Sequence, residues 1–569
     1  MSISCKYWML GMYCLVSLPV FSQTMYLELN LNEAKNGNPF AKTKPPLEVF
    51  RVIEKATNDN KVKGIILNIS SIPGDREHLW ELRSALEKFK AGGKKICAFI
   101  SNADIDIYCL ASVADKIVMD ELGTLSLLGY SVGRGYVQHT LEKLGIGVRE
   151  MRYFEYKSAA ETFTRDSMSD ADRRQYNDYL DDIFDLTRST LKNARNWTDE
   201  EFDSYLSEFL YSARSALSRN LVDRTGRKDA LIEAIKEIEG IEKTENIRFS
   251  LYGDTTSSLT GAETTYAPPG VGGLFRRPPV IAVVYANGQT DMERGMAALT
   301  LSRTVRELAD KRRVKAIVIR IDSPGGSAEA ADHFAEAVRY AKEKKPVVVS
   351  MGEVAASGGY WAAMNASHII ATPYTVTGSI GVIGSWFFDN GLNSKLGLNT
   401  DTLKRGEHAD LLSGILLPHR NLTEREEQQY RNYILDVYSV FTEKAAAGRG
   451  MDIEKLEAAA QGRIFSGTRA LEAGLIDSIG SLLDAIGKAR TLAEIPDRSL
   501  VRYDEYPKPK FWDKFLSRFP SIAALIRRNN HTHAASFFTD LLLPDTDIRY
   551  RLENNGKVMP ILPMEFLFY

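Results

Sequence analysis

VKAIVIRIDSPGGS, residues 314–327, decides the fold because the chain carries it twice: VKGIILNISSIPGD occupies residues 62–75. Each copy is a short apolar, β-branched run ending in a proline–glycine turn, the pattern of a buried strand. The echo continues in order. AGGKKICAFIS (91–101) matches AKEKKPVVVSM (341–351), and YCLASVADKIVMD (108–120) matches YWAAMNASHIIAT (360–372). RRQYNDYLDDIFDLT (173–187) echoes EEQQYRNYILDVYSVFT (426–442), and ALSRNLVDRTG (216–226) echoes ALEAGLIDSIG (470–480). The offset stays between 250 and 254 residues throughout. Chance likeness does not keep order and register over so long a stretch, so the chain is read as a tandem duplication.

Helix-like runs separate the strands. EHLWELRSALEKFKAGG (77–93) has apolar residues at helical spacing and a glycine stop, and HFAEAVRYAKEKK (333–345) repeats it. Strand–helix–strand order predicts parallel, right-handed βαβ units. Polar-faced helices over 170–196 and 423–447 close the copies. GDTTSSLTGAETTYAPPGVGG, 253–273, reads as a linker. The expected plan is an α/β chain of two repeats, 25–252 and 279–500, joined by a linker over 253–278 and followed by an extension over 501–569.

Composition narrows the partners. At 44% hydrophobic and 26% charged, the 569 residues are globular, and a net charge of −2 gives no whole-protein pull toward nucleic acid. Cys5, Cys14, Cys97 and Cys109 have no metal-binding or CxxC spacing. YWMLGMYCLVSLPVF, Tyr7–Phe21, suits a signal-peptide core or a membrane anchor within residues 1–24, and either exports the body across a membrane. A buried N-terminal helix is the bland alternative. KFWDKFLSRFPSIAALIRR, 510–528, fits a membrane interface or a subunit contact, and the apolar MPILPMEFLFY, 559–569, is expected to pair or pack.

The two copies have lost complementary parts. Ser357, in EVAASGGYWAAM (353–364), falls opposite Ile105. The turn Ser323–Gly326 falls opposite SIPG (71–74), which is one glycine short. The first copy instead holds Lys157, in RYFEYKSAAETF (152–163), opposite Ala409. One half keeps a serine and the other a lysine, so Lys157 is expected to act as the base for Ser357. A free lysine is protonated at neutral pH, but burial disfavours its charged form, and a neutral lysine can take a serine proton. Gly325 and Gly326 let backbone N–H groups approach a substrate oxyanion, and the N–H of Gly358 stands at a helix start. Ser379, in TVTGSIGVIG (375–384) and opposite Leu127, offers a hydroxyl to orient the lysine.

At these motifs the chain closely resembles the long, tandem-domain form of signal peptide peptidase A, in the ClpP/crotonase superfamily. DSPGG, MGEVAASGGYW, TGSIGVIG and YKSAAETF carry the resemblance, which covers residues 25 to 500. It implies two ClpP/crotonase-like repeats, Ser357 as nucleophile, Lys157 as general base, Ser379 as the lysine-orienting hydroxyl, and Gly326 and Gly358 as the oxyanion hole. It implies a serine endopeptidase that degrades cleaved signal peptides and other hydrophobic peptides. The expected setting is a homotetramer on the outer face of the bacterial inner membrane, with no metal and no nucleotide cofactor. The N-terminal apolar run is shorter than the family's usual anchor, and the C-terminal tail is long.

Other readings stand beside this one. Ser357 alone is an ordinary small-residue turn, and Lys157 alone an ordinary surface lysine. His408 offers a Ser–His pairing, whereas His368 reads as a packed strand residue. A non-catalytic scaffold for hydrophobic peptides would have lost both Ser357 and Lys157. An acyl-CoA enzyme of the same fold would need carboxylates at the glycine turn, but Glu329 and Asp332 fit the helix that follows it.

Overall fold

The computed structural model describes residues 24–31, 46–69, 75–242, 247–251, 278–496, 499–508, 558–559 and 567–568. The Tyr7–Phe21 run, the SIPG turn, the 253–273 stretch and the 510–528 segment lie outside these residues.

The opening pair of sequences forms the strands Val62–Ile69 and Val314–Ser323, each buried along nearly its whole length. Burial on both faces is what helix-covered parallel sheets require, and it explains continuous apolar runs without alternation. Val314–Ser323 pairs in parallel with Val280–Asn287 on one side and Val347–Ala356 on the other. Val62–Ile69 pairs in parallel with Thr24–Asn30 and Lys95–Ala103. The first sheet runs, in order, through strands starting at 210, 116, 95, 62, 24 and 247, with a short strand at 224 attached to the second of these. The second sheet runs through strands starting at 464, 376, 347, 314, 280 and 502, with those at 368 and 478 alongside. The duplicated sequence therefore folds into duplicated topology. Arg502–Tyr506 closes the second sheet as Ile247–Leu251 closes the first, so that sheet extends past residue 500.

The helix Arg76–Ala91 shows how the copies are joined. Leu79, Leu82, Leu86 and Phe89 recur at helical spacing and are buried in the first core. Glu77 and Glu81 on the same helix are also buried, at 5% and 0% exposure, which two carboxylates do only when paired. Their partner is Arg320 of the second sheet, which bonds Glu77 and reaches Glu81 Oε1 at 2.9 Å and Ser350 Oγ at 2.8 Å. The Leu482 N–H donates to Glu81 Oε1 at 2.7 Å. A second seam is the antiparallel pairing of Ile146–Met151 from the first copy with Ile383–Asp389 from the second. The chain end adds short antiparallel strands: Val558–Met559 pairs with Ile383–Gly384, and Leu567–Phe568 pairs with Val132–Gly133.

Candidate active site

Ser357 stands between the strand Val347–Ala356 and the helix Gly358–Ala363. Its backbone has φ 56° and ψ −114°, a conformation that non-glycine residues rarely adopt. Two hydrogen bonds hold it there: its N–H donates to Gly378 O at 2.8 Å, and its C=O accepts from Trp361 N at 2.9 Å. Space restricts both glycines that follow, Gly359 more tightly than Gly358. A Cβ on Gly359 would lie 2.4 Å from Ser323 O, and one on Gly358 would lie 3.1 Å from Gly325 Cα and 3.2 Å from Gly326 N.

The seam strand Ile146–Met151 leads into the turn that carries Lys157. Lys157 Nζ lies 2.6 Å from Ser357 Oγ, 2.8 Å from Ser379 O and 2.9 Å from Ser379 Oγ. All three residues are buried, at 1%, 0% and 2% exposure. Residues 200 and 222 positions apart are thus brought to one point within one chain. Ser379 also has a positive φ, 49°, and its N–H donates to Arg463 O at 2.6 Å.

The glycine turn is anchored by Thr290, a residue with no signal in the sequence motifs. Thr290 N donates to Gly325 O at 2.8 Å, and Thr290 O accepts from Ser327 N at 2.7 Å. Its hydroxyl sits 3.1 Å from Ser323 Oγ, which also accepts from Gly325 N at 3.3 Å. Gly325 spends its N–H inside the turn. The N–H groups of Gly326 and Gly358 have no acceptor among the described hydrogen bonds. Gly326 has φ 153°, and a Cβ there would fall 2.3 Å from Thr290 O.

Gly462 is a second residue that sequence reasoning missed. A Cβ on it would lie 2.6 Å from Lys157 Cβ, and a Cβ added to Gly381 would lie 3.3 Å from Lys157 Cδ. Its only signal is a glycine beside the strand Ile464–Phe465, which has no counterpart in the motifs around Ser357.

His408 is held elsewhere, with Nδ1 2.8 Å from Glu426 Oε1. His368 Nε2 lies 3.0 Å from Ser478 Oγ, and burial pushes its pKa down, as for a packed strand residue. Asp332 accepts from Trp361 Nε1 at 3.2 Å, and Glu329 is exposed on the helix Ala328–Lys342. Four residues before the nucleophile, Glu353 is pushed up to about 7 by burial and then by the negative charges of Asp75 and Asp322.

The sequence profile of peptidase family S49 matches residues 88–242 and 339–496, one stretch in each copy and together more than half of the chain. The chain belongs to peptidase family S49. The S49 relatives it resembles span both copies. The chloroplastic serine protease SPPA of Arabidopsis thaliana is 31% identical over 461 residues, 80% of this chain and 67% of that protein. Protease 4 of Salmonella typhi is 31% identical over 476 residues, 81% of this chain and 74% of its own. Protease 4 of Haemophilus influenzae is 29% identical over 467 residues, 80% of this chain and 74% of its own. This S49 chain is a serine peptidase with an α/β fold of two repeats.

Proposed function

We propose that the chain is an endopeptidase in which Ser357 is the nucleophile and Lys157 its general base. The observation that carries this reading is the 2.6 Å contact between Lys157 Nζ and Ser357 Oγ in a buried setting. A neutral amine has two N–H donors and one lone pair. If the donors go to Ser379 O and Oγ, the lone pair is left for the Ser357 hydroxyl. Ser357 Oγ then attacks the peptide carbonyl carbon while its proton passes to Lys157. The oxyanion is held by the N–H groups of Gly326 and Gly358, with Gly325 shaping the turn. Lys157 returns the proton to the departing amine, leaving an acyl-serine. Water attacks this ester, giving a proton to Lys157, which passes it to the departing Ser357 Oγ, so that the serine and the neutral lysine are both restored.

The substrates we propose are hydrophobic peptides, including cleaved signal peptides, and the setting is the outer face of the bacterial inner membrane. This rests on the family resemblance and on the Tyr7–Phe21 run. Among the described residues no helix is long and apolar enough to cross a membrane. Assembly of the chain into a homotetramer is supported by the head-to-tail way the copies meet. The lysine-bearing segment of the first copy packs against the serine of the second. In the second copy the corresponding segment exposes Leu403, Leu412 and Leu416, at 95%, 71% and 56%. Head-to-tail contacts leave one surface of each kind unmet and close into rings.

The test is hydrolysis of a fluorogenic apolar peptide, together with labelling by a fluorophosphonate. Ser357→Ala should abolish both, and Lys157→Ala should abolish hydrolysis while the fold is kept. Wild-type activity should rise toward mildly alkaline pH with an apparent pKa below the roughly 10.4 of free lysine. Full activity in Lys157→Ala would refute the assignment of the base.

A further inference from the structure

The turn that carries Lys157 is gripped from behind by a buried polar cluster that none of the family motifs accounts for. Asp172, in the first turn of the helix Asp170–Arg195, is 0% exposed. Its carboxylate accepts from the Ser158 hydroxyl, from Arg134 Nη1 at 2.6 Å and from Gln175 Nε2 at 2.9 Å. Arg134 also donates to Ser158 O at 2.6 Å and to Thr162 Oγ1 at 3.1 Å. Gln175 Nε2 lies 3.3 Å from both Tyr156 O and Ser158 Oγ. The residues on either side of Lys157 are therefore held by their main-chain carbonyls, and Ser158 by its side chain as well.

The same cluster reaches the second copy. Gln175 Oε1 accepts from Ile464 N at 3.1 Å. The residue before Ile464 is Arg463, whose carbonyl takes the Ser379 N–H. One residue earlier, Gly462 N donates to Ile380 O at 2.8 Å, and Gln461 O accepts from Tyr156 N at 2.9 Å. One hydrogen-bonded frame thus carries both Lys157 and the serine whose oxygens receive its amine. The Asp172 charge is matched by Arg134, with side chains 0% and 2% exposed, so a rigid ionic anchor sits behind the lysine without an unbalanced charge.

We infer that Asp172, Arg134 and Gln175 are positioning residues that hold Lys157 on Ser357 through Ser158 and the adjoining main chain. None of them bonds the reacting atoms in the described contacts, so they act on the geometry of proton transfer and not on substrate binding. The inference rests on Lys157 being the base.

Removing either charge of a buried pair strongly destabilises a fold, so Asp172 and Arg134 are poor first variants. Ser158→Ala and Gln175→Leu remove frame contacts without stranding a charge. Both would be assayed in the full chain for kcat and KM on the apolar peptide and for melting temperature, beside Lys157→Ala. Displacement of a catalytic group by about 1 Å costs on the order of 100-fold. The expected result is a kcat lowered by about 10- to 100-fold in each variant, a KM within about twofold and a nearly unchanged melting temperature. A kcat within about twofold of wild type in both variants would overturn the inference, as would losses that only track a fall in folded protein. If Lys157→Ala keeps wild-type activity, the dyad itself fails and this inference fails with it. If Lys157→Ala is dead while both frame variants are normal, only the positioning role is lost.

Discussion

At the scale of single residues, the site is made by backbone conformations that side chains normally avoid. Ser357 and Ser379 both have positive φ, 56° and 49°. Such residues cost about 1–3 kcal/mol each and persist only where their surroundings over-determine them. Here the surroundings are the bonds from Ser357 N to Gly378 O and from Ser379 N to Arg463 O. Glycine does the complementary work where main chain and side chain pass too closely for a Cβ. Gly462 is the sharpest case: its φ is 81°, and an added Cβ would lie within 2.8 Å of Lys157 N, Cα and Cβ. Gly462→Ala is expected to push the lysine off Ser357 and lower kcat by about 100-fold. Circular dichroism should remain near wild type, and an unchanged kcat would show that the lysine turn can yield.

At the scale of elements, the helix Arg76–Ala91 belongs by sequence to the first copy and by ion pairing to the second. Arg320 is buried between Glu77 and Glu81 and donates hydrogen bonds to both. Arg320→Met leaves two carboxylates in an apolar contact, and a loss of about 3–5 kcal/mol in denaturant unfolding is expected. At the edge of the same contact Glu353 meets Asp75, and burial with two neighbouring carboxylates lifts it from 4.5 to about 7. A carboxyl raised on folding binds its proton more tightly in the native chain. Its contribution to stability is complete below the unfolded value and is lost as pH rises through about 7. The melting temperature of wild type should therefore fall between about pH 5.5 and about pH 8.5 by more than that of Glu353→Gln. Parallel curves for the two would remove Glu353 from the contact.

For the whole molecule, the consequence is that one chain contains a complete Ser–Lys pair. An equimolar mixture of Ser357→Ala and Lys157→Ala chains should stay inactive after subunit exchange, because each chain has broken its own pair. Recovered activity would place the working lysine on a neighbouring chain. The ring reading makes a separate demand on the exposed leucines of the second copy. Leu412→Asp combined with Leu416→Asp should shift sedimentation toward the monomer, and an unchanged sedimentation coefficient would put the contact elsewhere.

Much of this was legible in order and spacing. Two near-copies at a constant offset imply two like folds, since the same apolar runs and glycine stops must bury the same faces. The loss of serine from one copy and of lysine from the other marks Lys157 and Ser357 as a pair from sequence alone, and TGSIGVIG points to Ser379. The rest depended on contacts between residues far apart in the chain. Glu77 and Glu81 look like solvent-facing helix charges until Arg320 closes on them. Gly462, Thr290, Asp172 and Gln175 carry no local signature, because their roles are defined by what lies across the seam. By itself the sequence determined the repeat, its strands and the two side chains proposed to react, since these follow from local pattern and from comparison of the copies. Only the tertiary structure decided that the two halves meet within one chain at 2.6 Å, because that distance is set by the seam strands and the buried ionic contacts, which no local pattern encodes.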